Sequence, residues 1–216
     1  MNQTIKIALA SVLAVTLFGA ATAQPAAPEA PAAAPRAPNT DPAASPAGIY
    51  KIDPRHTSVT GTILRGGLSH YAFRFDKTDG SFVYDPKNPE ASKVTVTIDT
   101  GSFDSNTQAI DDRLRGFEFF DIAKFPQITF VSTGIKRTGG NKGTMTGNLT
   151  FIGFTKPVTL DVTFNGAAIG KRTTMGFSAA TVLKISEFGP IGAAFTTAHF
   201  LGNEVPLHIE VLFDMM

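Results

Sequence analysis

The stretch DDRLRGFEFFDIAKFPQITFVST, residues 111–133, decides the fold. Five phenylalanines fall in it, among charged residues that can point to water while the rings cannot: Phe117, Phe119, Phe120, Phe125 and Phe130. Burying a ring of this size against apolar neighbours is worth about 1.5–3 kcal/mol. We therefore expect all five rings to be buried, with the segment forming the lid or floor of a β-barrel built by the rest of the chain.

The sequence also predicts a short helix that overlaps the start of this stretch. Within residues 107–116, Ile110 and Leu114 are spaced by four, two aspartates come early and two arginines come late. This charge order suits the helix dipole, and Gly116 is a typical stop.

The remaining domain has the pattern of β-strands. Apolar and polar residues alternate over 94–99, 158–164 and 205–211, and glycine pairs at 66–67 and 139–140 indicate hairpin turns. Strands with one apolar and one polar face are typical of antiparallel sheets. About eight strands with one short helical excursion predict a mainly β fold, an antiparallel barrel that is closed or nearly closed. A β-sandwich is the competing fold, and the 18 phenylalanines favour a barrel that can line a cavity with rings.

The first 48 residues are predicted to lie outside the domain, which we place at 49–216. Lys6, an apolar run at 7–21 and the small residues Ala21-Thr22-Ala23 predict a cleaved signal peptide at 1–23, and hence a periplasmic protein. A membrane-spanning helix is disfavoured because the run is shorter than the roughly 20 residues that a bilayer requires. Residues 24–48 are rich in alanine and proline and predict a disordered linker, with a tether role as the alternative.

Charge and composition exclude several functions. Removing residues 1–23 takes away one lysine and no acid, so 18 basic residues face 18 acidic ones and the net charge is zero. The basic residues are scattered singly, which disfavours a nucleic-acid partner. The chain has no cysteine, so disulfides, thiol chemistry and thiolate metal sites are excluded.

The histidines do not predict catalysis or metal binding. His56 in the segment DPRHTS resembles a hydrolase fragment, but a polar cap at a strand entrance is the simpler interpretation. His56 and His70, like His199 and His208, lie in segments that could approach each other, yet nothing in their spacing supplies the three or four ligands of a zinc site. We expect no catalytic residue, no metal and no cofactor other than a bound lipid, and His208 is expected to face solvent.

Five ordered motifs resemble the YceI-like lipid and polyisoprenoid-binding family. The central one is the stretch at 111–133, whose counterpart has an Asp, a His-Leu pair, Phe-Phe-Asp, an aromatic residue before Pro and Ile-Thr-Phe. The others are IDPRHTSV at 52–59, GLSHYAFRF at 67–75, GNLTFIGFTKPVTLDV at 147–162, and EFG at 187–189 with LGNEVPLHIEV at 201–211. Two departures are visible: Arg113-Leu114 replaces His-Leu, and Gly202-Asn203 replaces Gly-Asp.

The resemblance implies a lipocalin-like barrel that holds a polyisoprenoid, an isoprenoid quinone or another long amphiphile. If the family's histidine touches a headgroup, Arg113 favours an anionic head; if it is structural, nothing follows. A transient membrane contact and a homodimer stay open, as does an envelope stress-related protein-interaction module. The residues that we expect to contact the lipid are Phe73, Phe75, Phe82, Val96, Ile98, Phe119, Phe120, Phe130, Phe151, Leu160, Phe177 and Phe188, and plain core packing is the alternative for each of them.

Overall fold

A computed structural model describes residues 37–198 and 200–216. The predicted signal peptide, residues 24–36 of the predicted linker and His199 lie outside the described residues. Within the described ranges, no helix is long and apolar enough to cross a membrane.

Eleven antiparallel strands form one sheet in the described part of the chain. They are β1 (Gly48–Ile52), β2 (Ser58–Arg65), β3 (Ser69–Phe75), β4 (Thr78–Tyr84), β5 (Lys93–Asp99), β6 (Phe103–Asp104), β7 (Gln127–Gly139), β8 (Lys142–Phe151), β9 (Phe154–Ala168), β10 (Thr174–Lys184) and β11 (Glu204–Met215). The predicted hairpins at the two glycine pairs are confirmed: each pair has positive φ and joins neighbouring strands, β2 to β3 and β7 to β8.

Eight of these strands close a barrel, which confirms the predicted fold. The order runs β1-β4-β5-β7-β8-β9-β10-β11, and β11 returns to β1. The long strand β11 has two partners on its free edge: Phe213 pairs with Ile52 of β1, and Ile209 pairs with Val59 of β2. The barrel therefore forks at β11, and β2, β3 and β6 extend from the fork as a three-stranded flap.

Residues 37–198 and 200–216 contain two α-helices, whereas the sequence predicted one. The first, α1 (Gln108–Arg115), lies within the predicted range and ends at Gly116. The second, α2 (Gly189–Ala198), follows β10 and a 3-10 turn, and the prediction missed it.

Two apolar clusters lie in the barrel. The tyrosine cluster contains Tyr50, Ile52, Phe82, Tyr84, Val94, Phe164, Ala167, Met175 and Phe213. The phenylalanine cluster contains Phe103, Phe119, Phe120, Ile128, Phe151, Ile152 and Phe188. Each of β5 and β8 contributes to both clusters, for example Met145 beside the first and Phe151 in the second, so the clusters mark the two ends of the barrel.

Residues 37–47, which belong to the predicted linker, contact the tyrosine end. Asn39 and Ala167 exchange two backbone hydrogen bonds of 2.9 and 2.8 Å. The hydroxyl of Tyr84 donates to the carbonyl of Pro42 at 2.7 Å, and that of Tyr50 donates to Pro46 at 2.7 Å. This part of the chain differs from the disordered linker predicted there, because buried tyrosine hydroxyls need acceptors and its carbonyls supply them.

Candidate functional site

The register of three long strands brings apolar side chains into rows across the interior. Ala179 of β10 lies opposite Val162 of β9 and Ile209 of β11. Directly opposite residues of an antiparallel pair point to the same face. Alternate residues of β10 from Met175 to Leu183 therefore face the interior. At roughly 3.4 Å per residue, this part of the strand is about 27 Å long.

Inward side chains between the two clusters are only half-buried, whereas the side chains of the clusters themselves are buried. These half-buried side chains are Val96, Ile98, Leu149, Val158, Leu160, Val162, Phe177, Leu183, Leu207, Ile209 and Val211. Their polar neighbours along β9 and β11, such as Thr159 and His208, are exposed on the outer face. The interior between the ends is thus not filled by the side chains of the described residues.

Small residues occupy two of the inner positions. Gly147 pairs with Val158 across the strands, and a Cβ added to it would lie 2.3 Å from the Phe130 ring. Ala179 occupies the middle of its row with a single methyl group. The Phe130 ring therefore fills the place beside Gly147, whereas the methyl group of Ala179 fills little of its row.

A cavity of about 100 Å³ adjoins the tyrosine cluster. Its walls include Phe82, Met145, Val162 and Phe177. Since a water molecule takes about 30 Å³ of liquid, this space holds only a short piece of an alkyl chain. A longer chain would have to continue past Phe177 among the half-buried side chains.

The opposite end is covered by segments that are not barrel strands. Residues 117–126 place Phe119 and Phe120 in the phenylalanine cluster, where the ring of Phe120 lies 5.3 Å from that of Phe103. Helix α2 packs Phe195 against Phe119 with ring centroids 5.3 Å apart. We call α1, whose Leu114 packs on the phenylalanine cluster, residues 117–126 and α2 the lid, and the prediction that the aromatic stretch covers the barrel is confirmed.

Two rings in the stretch contradict the expectation that all five are buried. Phe125 is half-buried. Phe117 is 79% exposed, whereas Phe119 is 5% exposed. The chain turns between these residues, with the Phe119 amide donating to Gly116 and the Phe120 amide to Leu114. Only some of the rings in such a turn can face the barrel.

The structure places the predicted contact residues at two levels of burial. Phe82, Phe119, Phe120, Phe130, Phe151 and Phe188 are buried, from 1 to 9% exposed. Val96, Ile98, Leu160 and Phe177 are half-buried on barrel strands. Phe73 and Phe75 are half-buried on the flap strand β3 and contact the phenylalanine cluster. The half-buried barrel residues are those with surface left for a ligand.

The predicted headgroup residue lies on the lid. Arg113 is exposed on α1, and its guanidinium carbon is 5.3 Å from the centroid of the Phe119 ring. This cation therefore lies directly outside a ring of the phenylalanine cluster.

Asn203, the second departure from the family pattern, has a structural role. Its side-chain oxygen accepts a hydrogen bond from the Ser186 amide at 2.9 Å, and its backbone carbonyl accepts one from the Ile185 amide at 3.0 Å.

The segment around His56 forms a local cap. Asp53 accepts hydrogen bonds from the Arg55 side chain at 3.2 Å and the Arg55 amide at 3.0 Å, and its second oxygen is 2.7 Å from His56 Nδ1. The Arg55 side chain, followed by His56 and the Arg55 amide, holds the pKa of Asp53 well below its usual range. The contact between Asp53 and His56 therefore belongs to a turn before β2, in which Arg55 also binds Asp53.

His56 and His70, whose segments could have approached each other, lie apart in the structure. His70 pairs with Leu64 near the tip of the β2–β3 hairpin, whereas His56 precedes the other end of β2. Within residues 37–198 and 200–216, no group of three or more His, Cys, Asp or Glu side chains could hold a metal ion. His208 is exposed as predicted, with Nε2 2.8 Å from Glu210.

Several interior residues are absent from the predicted contact residues. Tyr50 and Tyr84 are 0 and 4% exposed and close the tyrosine end. Phe103, Phe164 and Phe213 belong to the two clusters as well. Period-two alternation already places Phe164 and Phe213 on the inward side of β9 and β11, although neither is among the predicted contact residues.

The fold and interior define a class: an antiparallel eight-stranded barrel with an apolar, incompletely filled interior and a lid at one end. The model of the YceI-like domain matches residues 50–213, and the chain belongs to this family. It is 44% identical over 148 residues to Protein YceI of Salmonella arizonae, covering 66% of this chain and 76% of that protein.

Solved structures share the architecture. Burkholderia cenocepacia BcnA is 28% identical with a TM-score of 0.65, covering 74% of this chain and 98% of its own. The Campylobacter jejuni YceI protein is 30% identical with a TM-score of 0.63, covering 69% and 87%. A polyisoprenoid binding domain from Saccharophagus degradans is 14% identical with a TM-score of 0.59, covering 77% and 98%, and shows the fold alone.

Proposed function

We propose that this protein is a periplasmic carrier or sequestering protein that holds one long apolar chain, a polyisoprenoid or the tail of an isoprenoid quinone, inside the barrel. The observation that carries the proposal is the row of half-buried inward side chains between two closed ends. A domain of this size normally packs its inner positions to high density. An interior left open for this length of strand suits an elongated apolar ligand.

The energetics fit a ligand held mainly by its tail. Each buried CH₂ contributes about 0.8 kcal/mol, so a dozen enclosed carbons supply the gross affinity without strong polar contacts. In our proposal the tail reaches the cavity at the tyrosine end, and the head remains near Arg113 on the lid. The name of the Saccharophagus degradans domain supports the ligand class only through the shared fold. The proposal assigns the protein no catalytic step.

The first test is analytical. The protein is purified without detergent, extracted with organic solvent, and the extract is examined by mass spectrometry. A polyprenyl compound or quinone near one molecule per protein is expected. An extract without long-chain lipid, together with no binding of prenyl or quinone probes, would refute the proposal.

The second test fills the interior with protein. Ala179→Phe adds a ring at the centre of the barrel, where Ala179 faces Val162 and Ile209. Its matched control, Ala180→Phe, adds the same ring one residue further on at an exposed position. We expect Ala179→Phe to weaken binding of a prenyl probe at least about tenfold, a change of about 1.4 kcal/mol, and the control to bind like the wild type.

These variants also separate the carrier from a protein-interaction module. A module that works through its outer face would keep its cellular role when the interior is filled. Loss of that role in Ala179→Phe, with retention in Ala180→Phe, is the result expected for a carrier.

A further inference from the structure

Two turns at the lid end present large apolar side chains to solvent. Leu68, in the β2–β3 turn, is 91% exposed, and Phe200, just after α2, is 80% exposed. We propose that these two side chains, the apolar tip, insert into the surface of an anionic lipid bilayer and dock the lid end of the barrel on it. This inference rests on the proposed function, because it identifies the surface with which the carrier would exchange its lipid.

The two turns form one connected structure. The Gly66 amide donates to the Phe200 carbonyl at 2.7 Å, and the Gly202 amide donates to the Leu64 carbonyl at 2.7 Å. Arg65 and Leu201 form a further bridge. The tip is thus held by the flap on one side and by the end of α2 on the other.

The backbone of Phe200 supports a functional interpretation. Its φ is 54°, in the left-handed region that bulky residues rarely adopt. Such strain persists where the surrounding structure imposes it, and it concentrates at functional sites. Here the strained residue does not bury its ring in the protein.

Charge around the tip favours an anionic surface. No aspartate or glutamate occurs in residues 54–75, which include the β2–β3 hairpin, or in residues 188–203, which include α2. Arg65 and His70, at the base of the turn, are exposed. Exposed apolar side chains beside a cation such as Arg65, on segments that themselves carry no acid, are typical of surfaces that bind anionic lipid.

The small apolar area of the tip favours a bilayer over a protein partner. A buried phenylalanine covers about 150–250 Å², and two side chains of this kind supply about half of the roughly 800 Å² that each partner buries in a stable protein interface. Two side chains that protrude from turns are, however, sufficient to enter the headgroup region.

The helix beside the tip could lie on the same surface. Helix α2 carries no charged residue, and its exposed positions include Pro190, Ala193 and Ala194. Its other side packs Ile191 and Phe195 on the phenylalanine cluster. A bilayer that touches the tip would therefore also touch the outside of the lid.

The chain offers a direct spectroscopic test, because it contains no tryptophan. Phe200→Trp places a single reporter on the tip, and Ile169→Trp places one at the opposite end, where Ile169 is 46% exposed. The chain from residue 24 onward, the predicted mature form, is mixed with vesicles of phosphatidylethanolamine and phosphatidylglycerol. We expect a blue shift of the emission and quenching by brominated lipid for Phe200→Trp, and neither for Ile169→Trp. Equal responses of the two reporters, or none, would overturn the proposal.

Removal of the tip gives the quantitative test. Leu68→Ser with Phe200→Ser is expected to lower the bound-to-free ratio on these vesicles at least about tenfold. The control, Ile49→Ser with Ile169→Ser, removes exposed apolar side chains at the tyrosine end and should stay within about twofold of the wild type. Wild-type binding by the tip variant would refute the proposal, as would a wild-type dimer in sedimentation that the tip variant abolishes.

Failure of the docking inference can be distinguished from failure of the carrier function. The tip lies outside the barrel, so the tip variant should retain wild-type amounts of extracted lipid. Lipid in the extract without vesicle binding would refute the docking inference alone. Vesicle binding through the tip by a protein that contains no lipid would refute the carrier function alone.

Discussion

The tyrosine end and the lid end are closed by different parts of the chain. At the tyrosine end, residues of β1, β4, β5, β9, β10 and β11 supply the rings and side chains of the cluster. At the lid end, Phe119 and Phe120 come from a loop, and Phe188 from the turn before α2. One end is closed by the barrel itself, whereas the other is covered by added segments.

Backbone geometry follows the same division. The non-glycine residues with positive φ in the described ranges are Asn106, Asp121, Ile152 and Phe200. All four lie in loops or turns at the lid end. Ile152 is notable because a β-branched residue seldom adopts φ of 43°, and its side chain is 3% exposed in the phenylalanine cluster.

This contrast indicates how one fold can combine a stable container with an opening. Strands that pair on both edges are the most stable parts of a protein, and binding lids come from segments of lower stability. We therefore expect the tyrosine end to open only with global unfolding, and the lid to open locally. The following predictions test this difference, beginning with the largest expected effect.

The largest effect is expected from Phe82→Ala. The Phe82 ring lies 5.4–5.8 Å from four other rings, those of Tyr50, Tyr84, Phe177 and Phe213. These rings are fixed on paired strands and cannot collapse into the gap. We expect the free energy of unfolding to fall by about 3–5 kcal/mol, measured by denaturant titration.

The matched change at the lid, Phe120→Ala, should cost less. Phe120 is 8% exposed and contacts the rings of Phe103 and Phe151. Because the lid loop can shift to fill part of the gap, a loss of about 2–3 kcal/mol is expected, with faster amide hydrogen exchange confined to residues 117–126 and α2. Equal losses for the two variants, with exchange raised throughout the barrel, would show that the ends do not differ.

A smaller effect is expected where the N-terminal segment meets the barrel. Tyr84→Phe leaves the Pro42 carbonyl without its 2.7 Å hydrogen bond, which should cost about 1 kcal/mol. Proteolysis of residues 37–47 should become faster while the lid keeps wild-type exchange. Unchanged proteolysis would mean that the hydroxyl does not hold the segment.

Alkaline pH should weaken the same end. Burial raises the pKa of Tyr50, and burial followed by the neighbouring Tyr50 raises the pKa of Tyr84. A group whose pKa is higher in the folded protein stabilises it fully below the unfolded value of about 10 and loses this contribution as pH rises through the folded value. Stability should therefore decline above about pH 10, and the decline should be smaller in Tyr50→Phe, measured by unfolding together with tyrosinate absorbance.

The smallest effect is expected from Arg113→Ala on the lid. Loss of the cation over the Phe119 ring should cost about 0.5–1 kcal/mol, and Arg113→Lys should recover part of it. If the cation also contacts a headgroup, Arg113→Ala should weaken anionic prenyl ligands more than neutral ones. Equal changes for both ligand classes would leave Arg113 with a structural role.

The sequence predicted local structure well because local structure depends on neighbouring residues. Helix α1 lies within the predicted range since its charges and its glycine stop lie inside the segment itself. Helix α2 was missed because it carries no charge pattern, although Pro190 near its start and the four-residue spacing of Ile191 and Phe195 were available signals.

The contact residues were harder to predict. Alternation identifies the inner face of a strand, so Val96, Leu160 and Phe177 were correctly placed inward. Alternation does not show how much space the opposite wall leaves. Loops have no periodicity, and for that reason the sequence could not distinguish the exposed Phe117 from the buried Phe119.

The sequence by itself determined the family, the antiparallel strands and the presence of a ring-rich cover, because these depend on periodicity, turn residues and composition along the chain. The tertiary structure alone decided that β11 forks between β1 and β2, that the inward side chains between the two clusters stay half-buried, and that Leu68 and Phe200 share one tip. Each of these features depends on pairing between residues far apart in sequence, which is set only when the barrel closes.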